Sequence, residues 1–292
     1  MTIKLLTLED RLTRLTLAPE LGGSIVNWTL RANGHALLRP SDQQALDAGS
    51  PRRLACYPLA PWSNRIGQGG FSSPDGWFAL PANSPNDPLP IHGSAWQQPW
   101  QVIEQSAGEV CLQLESVVPF AYRAQQRFRL HDGCLQMHLQ VTHLDSRAAW
   151  HGLGWHPYFP RTAHTRLRAV AQQFWQCDQA RLSSELAPLP ADWNFAEAQP
   201  LPAEQIDNVF TGWDGSCEII QQDAGYQLHC RSQGTDYFIL YTPTGQDFFC
   251  FEPVSHPVNA HHLPGQPGLR LLRQGETCQL SFSLHYQALP PR

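Results

Sequence analysis

Alternation of apolar and polar residues with period two dominates this chain. In Glu109-Val-Cys-Leu-Gln-Leu-Glu-Ser-Val117, the side chains of Val110, Leu112 and Leu114 share one face, the spacing of a half-buried strand. Leu135, Met137, Leu139 and Val141 oppose Gln136, His138, Gln140 and Thr142. Cys278, Leu280, Phe282, Leu284 and Tyr286 oppose Gln279, Ser281, Ser283 and His285 in the same way. Further strand-like runs cover 11–17, 24–30, 122–130, 226–231, 236–242 and 248–252. Turn pairs such as Asn33-Gly34, Asp132-Gly133, Asp214-Gly215 and Thr244-Gly245 punctuate the pattern. Helical period is nearly absent, and 41–48 supports at most a turn or two. The pattern predicts an all-β fold, a large antiparallel β-sandwich with very little helix.

Two Pro-rich stretches, 81–91 and 185–206, interrupt the alternation and read as long irregular loops of the functional or unordered kind. Composition is unchanged on either side of both, so 1–292 is expected to form a single domain.

Composition narrows the function classes. The 292 residues are 42% hydrophobic and 15% charged, which suits a globular core and excludes a coiled coil or a disordered chain. Twenty basic residues against 25 acidic ones leave a charge of −5. All but Lys4 of the basic residues are arginines, scattered along the chain, so no basic patch predicts a nucleic-acid partner. Charge interrupts the first residues before any apolar leader develops, and no stretch approaches 18 uncharged apolar residues. A cytoplasmic protein with no membrane partner is expected. Eight cysteines with no CxxC pair read as buried thiols in a reducing compartment.

Several short segments concentrate candidate chemistry. Phe248-Phe-Cys-Phe-Glu252-Pro253 ends an apolar strand on one carboxylate, on the face of Phe248 and Cys250. Pro253 has no N–H for the ladder and is expected to stop the strand. Glu252 there is either salt-bridged to an arginine or kept desolvated, and desolvation would make it a better general base. In Trp150-His151-Gly-Leu-Gly-Trp-His156-Pro-Tyr-Phe159, Pro157 holds His156 extended among aromatics. There it is either a general acid or a hydrogen-bonded core histidine. Pro61-Trp-Ser-Asn64-Arg65-Ile66 sets an amide and a guanidinium in a stiff loop. His92 closes the Pro-rich segment in Ile91-His92-Gly93, and Asp207 follows the second long loop. Arg donates in a fixed fork that suits vicinal hydroxyls, and a carboxylate could accept from them. No histidine spacing predicts a metal, and no Gly-rich motif predicts a nucleotide cofactor.

Taken in order, Pro61-Trp-Ser-Asn64-Arg65-Ile66, Leu89-Pro-Ile-His92-Gly93, Gly154-Trp-His156-Pro-Tyr-Phe159, Ile206-Asp207-Asn-Val-Phe210 and Phe251-Glu252-Pro253 resemble the aldose 1-epimerase (galactose mutarotase) family through most of the chain. The resemblance implies a β-sandwich with its site in a groove of one sheet. It also implies cofactor-free interconversion of the α and β anomers of a sugar substrate. The general base then falls on Glu252 and the general acid on His156. Substrate binding falls on His92, Arg65 and Asp207, with Asn64 shaping the loop around Arg65. Trp62, Trp96, Trp155 and Trp213 offer either sugar-stacking faces or core packing. Gly93-Ser94-Ala95-Trp96 departs from the Gly-Gly-Phe-like continuation of many galactose mutarotases, which leaves the preferred sugar open. A hexose-6-phosphate mutarotase is the alternative within this chemistry, ranked second because only Arg52 and Arg53 cluster in sequence. A non-catalytic sugar-binding sandwich, a metal-dependent enzyme and a glycosidase using Asp207 as second carboxylate are the rivals outside it.

Overall fold

A computed structural model describes residues 3–85 and 87–290. Two antiparallel sheets face each other. The first has ten strands, in spatial order Leu6–Glu9, Thr13–Ala18, Ser24–Leu30, Cys56–Leu59, Gly154–Pro160, Phe248–Val254, Tyr237–Tyr241, Asp207–Thr211, Gln173–Cys177 and Ser183–Pro188. The second has nine, in the order Gln199–Pro200, Thr165–Ala169, Ser216–Gln221, Tyr226–Gln233, Thr277–Ala288, Cys134–His143, Tyr122–His131, Glu109–Ser116 and Gln101–Gln105. One α-helix of five residues, Gln43–Asp47, is capped by Asp42, whose carboxylate accepts from the Ala45 N–H at 2.8 Å. The expected sandwich is the fold.

The periodicity has a direct structural cause. In the nine-stranded sheet Val110, Leu112, Leu135, Met137, Leu139, Leu280, Phe282 and Leu284 point into the inter-sheet core, and their alternate neighbours face outward. At the centre of the ten-stranded sheet both faces are covered. Trp155, Phe159, Phe249, Phe251, Phe238 and Phe210 enter the inter-sheet core. Tyr57, Leu59, Tyr158, Val209, Ile239, Cys250 and Val254 form a second apolar cluster on the outward face. Asn64, Arg65, Ile91 and His92 line the groove on that face, and Trp96 and Val258 pack into its apolar cluster. A strand covered on both sides reads as an apolar run rather than an alternation, as 248–254 does.

Two sequence expectations need correction, and one open alternative is resolved. Pro253 does not stop its strand, which runs to Val254 with Pro253 opposite Phe238. On the other side, pairing with Gly154–Pro160 is seen at Gly154↔Val254 and resumes at Tyr158↔Cys250. Pro157 and Pro253, neither with an N–H, lie in the interval between, so proline interrupts the ladder without ending the strand. The stretch 185–206 is not one irregular loop: Ser183–Pro188 and Gln199–Pro200 are strands and Ala191–Trp193 is a 3₁₀ turn. Trp62, Trp155 and Trp213 belong to the inter-sheet core and only Trp96 to the outward cluster. The cysteines are free thiols, six of them buried, with Cys134 and Cys177 half-buried.

Candidate active site

A groove of about 290 Å³ opens on the outward face of the ten-stranded sheet, at the small end of the range for ligand pockets. Its floor comes from the central strands. Gly154↔Val254 and Tyr158↔Cys250 set the register so that His156 stands opposite Glu252 across the proline-interrupted seam. Alternation sends Trp155 and Phe251 to the core and these two polar side chains to the groove. His156 Nε2 lies 3.3 Å from Glu252 Oε1, and both side chains are almost wholly buried. Glu252 Oε2 and His156 Nδ1 make no hydrogen bond to the described protein. Tyr57 and Tyr158 stack on either side of His156, with ring centroids 4.6 and 4.7 Å away.

Burial moves the two groups in opposite directions, each toward its neutral form. Glu252 is pushed well above the ordinary carboxylate range by desolvation and by the charge of Asp207, against a smaller pull from Arg65. His156 is lowered to about 3, first by burial and then by the charges of Arg52 and Arg39. With one proton between them the pair is either carboxylic acid and imidazole or carboxylate and imidazolium. The flanking tyrosine faces favour the cation. The pair therefore holds a proton acceptor and a proton donor side by side, and its titration belongs to both groups together.

The walls are loops stapled to one another. His92 Nδ1 accepts from the Asn64 N–H at 3.0 Å while the His92 N–H donates to the Asn64 carbonyl at 3.0 Å. That acceptor role puts the ring proton of neutral His92 on Nε2. Burial, then the charges of His156 and the nearby arginines, hold His92 well below its usual value and thus neutral. Asn64 and His92 both adopt positive φ, 56° and 63°, uncommon for residues with a side chain and characteristic of constrained sites. Gly93 follows at φ 66°, where a Cβ would fall 2.1 Å from the Ala60 carbonyl oxygen. The Ser63 N–H donates to His256 Nε2 at 3.1 Å, and the Asn259 N–H to the Arg65 carbonyl at 3.0 Å.

Asn64 Oδ1 accepts from the Arg65 N–H and from Arg65 Nη1, at 2.9 and 3.2 Å. Arg65 Nε donates to Asp87 at 2.7 Å in a largely buried ion pair. All six residues singled out in the sequence, Glu252, His156, His92, Arg65, Asn64 and Asp207, line the groove. Asp207 carries a raised pKa from burial, partly offset by Arg65 and Arg181.

Sequence reasoning missed Arg39 and Arg181 and weighed Arg52 only as Arg53's neighbour in sequence; with the tyrosines Tyr57, Tyr158 and Tyr241, these also line the groove. The expectation that arginine clusters only at Arg52 and Arg53 is corrected: four guanidinium-bearing residues from distant segments meet here. No linear spacing signals such a convergence. Asp87 was equally hidden, inside a segment read only as Pro-rich. Side-chain donors of His156, Cys250 and Glu252 lie within 4.8 Å of one another, the one three-residue group among the described residues that could hold a metal ion. Burial and the charge of Glu252 raise the Cys250 thiol well above its usual value, which disfavours the thiolate a metal would need.

Residues 4–285 match the family model described as aldose 1-epimerase. The chain belongs to the aldose 1-epimerase family. Uncharacterized protein YphB of Escherichia coli K12 is 33% identical over 264 residues, covering 87% of this chain and 89% of the relative. A crystal structure of a candidate aldose 1-epimerase from E. coli K12 superposes with a TM-score of 0.92 at 30% identity, covering 99% of this chain and all of that one. A galactose mutarotase-like protein from Clostridium acetobutylicum shares the fold at 17% identity, with a TM-score of 0.88 over 98% and 96% of the two chains. The aldose 1-epimerase family is one of isomerases acting on sugars. Among the described residues no helix is long and apolar enough to cross a membrane.

Proposed function

We propose that the protein is a cytoplasmic mutarotase, interconverting the α and β anomers of a free monosaccharide without a cofactor. The observation that carries this reading is the His156–Glu252 contact, an acid–base couple 3.3 Å apart on the floor of a sugar-sized groove. Mutarotation asks for one proton to leave the anomeric hydroxyl and one to reach the ring oxygen. Glu252 takes the first and His156 delivers the second, so the C1–O5 bond breaks and the ring opens to the aldehyde. Rotation about C1–C2 and reclosure with the roles reversed give the other anomer. The couple ends each half-cycle with the same total of one proton. General acid and base contributions of this kind are each typically worth about 10²–10⁴-fold.

The neutral tautomer of His92 presents Nε2–H toward the ring-oxygen side. Arg65, held by Asp87 and Asn64, donates to hydroxyls, and Asp207 accepts from them. A glycosidase would need two carboxylates acting on one bond, and a histidine pressed against the first has no part in that scheme. The test is anomer exchange of freshly dissolved α-glucose and α-galactose, then a wider aldose panel, followed by polarimetry with and without protein. Acceleration over the spontaneous rate is expected. Saturable sugar binding with no acceleration would establish a non-catalytic sandwich instead.

A further inference from the structure

The wall of the groove is held from behind as well as from within. Two consecutive amides of its first loop each donate to an imidazole nitrogen. The Asn64 N–H reaches His92 Nδ1 at 3.0 Å inside the groove, and the Ser63 N–H reaches His256 Nε2 at 3.1 Å. His256 is 1% exposed and outside the groove lining. Its Nδ1 lies 2.7 Å from the Pro257 carbonyl oxygen. Both partners act one way only, since a carbonyl accepts and an amide donates. The ring therefore carries its proton on Nδ1 and a lone pair on Nε2. Burial lowers His256 to about 4, against the pull of the Pro257 carbonyl, and keeps that lone pair unprotonated at neutral pH. The ring is also where three site-bearing segments meet. It follows Glu252 by four residues, and Gly152 precedes His156 by four. A Cβ on Gly152 would fall 2.0 Å from His256 Cδ2, so ring and backbone touch and only glycine fits. The Gly152 N–H donates to the Pro61 carbonyl at 2.8 Å. The Ser255 N–H donates to the Leu153 carbonyl at 2.8 Å, and the Leu153 N–H to Ser255 Oγ at 2.9 Å. The positive φ of Asn64 persists only where its surroundings over-determine it. A buried Ser63 amide without an acceptor would carry a desolvation cost, and turning that peptide to relieve it would unwind the residue beside it.

From this clamp we propose that His256 is a positioning residue of the site. Its Nε2 fixes the Ser63 peptide, and through it the Asn64–Arg65 turn and the ring of His92. The proposal rests on the mutarotase reading above and adds to that site a residue that never meets the sugar. The chain of causes is short. Asn64 Oδ1 is the acceptor that orients Arg65, and the Asn64 N–H is the donor that leaves the His92 proton on Nε2. Once the Ser63 peptide turns, Arg65 loses its aim at the hydroxyls and His92 is free to carry its proton on either nitrogen. Glu252 and His156 stand on paired strands and stay in contact. The loss therefore falls on placement of the sugar ahead of proton transfer.

The experiment begins with long-range proton–nitrogen NMR of the histidine-labelled wild type at neutral pH, where His256 is expected as Nδ1–H and His92 as Nε2–H. Kinetics of anomer exchange follow in three variants, on the aldose the wild type turns over best. His256→Phe keeps the ring's bulk without an acceptor. Its KM is expected to rise roughly 10–100-fold with a lesser fall in kcat, and its His92 signals to shift toward mixed tautomers. His256→Gln can set an amide oxygen as many bonds from Cα as Nε2, and should recover most of the loss. His256→Asn is one methylene shorter and should not, and it carries the kinetic test if His256→Phe fails to fold. A ring that only filled space would cost melting temperature in these variants without separating Gln from Asn in KM. His256 found as Nε2–H in the wild type, a wild-type KM in the Phe or Asn variant, or a Gln variant as impaired as Asn overturns the proposal and leaves the mutarotase reading standing. A wild type that turns over no aldose overturns both.

Discussion

On the outward face of the nine-stranded sheet a hollow of about 280 Å³ is lined by Arg127, Arg129, His138 and Arg231. On the outward face of the ten-stranded sheet the groove of about 290 Å³ is lined by four arginines, two histidines and two carboxylates. Both are similar in size and lined by arginine and histidine, but their surroundings are not alike. On the first face Arg127 meets Glu104 and Glu109, Arg129 meets Glu109 at 2.8 Å, and His138 Nδ1 meets Ser281 Oγ at 2.8 Å. All are half-buried or exposed, where such pairs contribute little. On the second face Glu252 and His156 are almost wholly buried and in contact. Among the described residues, Arg39 and Arg52 there have no carboxylate partner. Reactivity follows from burial and incomplete pairing, and a census of Arg and His would not separate the two faces.

The widest separation between the faces is in turnover. Glu252→Gln keeps the shape of the side chain but cannot accept the anomeric proton, and a loss of about 10²–10⁴ in kcat is expected. His138→Gln, on the other face, should leave kcat within about 2-fold, in line with a surface substitution far from any such feature. Anomer-exchange rates of the two purified variants check both. Near-normal turnover in Glu252→Gln would erase the distinction between the faces.

A smaller separation concerns ion pairs. Asp87→Ala removes the partner that aims the Arg65 fork, leaving a largely buried guanidinium free to swing toward Asp207. KM is expected to rise about 10-fold with a lesser change in kcat, because a misplaced positioning group loses orientation rather than proton transfer. Glu109→Ala removes the shared partner of two exposed arginines. It should leave kinetics unaltered and cost at most about 1 kcal/mol in a urea melt.

How legible each face was in the sequence follows the same division. The nine-stranded sheet announces itself, since one dry face and one wet face give Leu135, Met137, Leu139 and Val141 their period of two. The centre of the ten-stranded sheet is covered twice and reads as an apolar run, so Glu252 stood out only as the charge that broke it. Pro253 looked like a terminus because a missing N–H carries no information about whether neighbouring strands continue the sheet around it. The motif residues were legible because each sits in a short segment with its own loop chemistry, Asn64-Arg65 and His92-Gly93 among them. Arg39, Arg181 and Asp87 were not, and Arg52 was visible only as a neighbour of Arg53. They reach the groove from separate turns and loops, and their common destination exists only once the sheets have formed.

The smallest effect is one of stability, and its sign differs from the usual result of altering a buried residue. Glu252 has its pKa raised in the folded state. Such a group gives its full stabilisation below its unfolded value, near 4.5, and loses it as pH climbs through the raised folded value. At neutral pH the fold therefore carries the burden of keeping this site ready to ionise, and Glu252→Gln removes it. The variant should melt above the wild type at pH 7–8, and the gap should close as pH falls toward 4.5. Both proteins should lose stability together below about pH 6.5. There the neutral buried histidines His92, His151, His156, His256 and His261, all lowered by burial, accept protons more readily in the unfolded chain than in the fold. Thermal melts across pH 4–8 read both trends. A variant that melts below the wild type at pH 8 would mean that the carboxylate is well solvated or paired in the fold, and the groove floor would then resemble the other face after all.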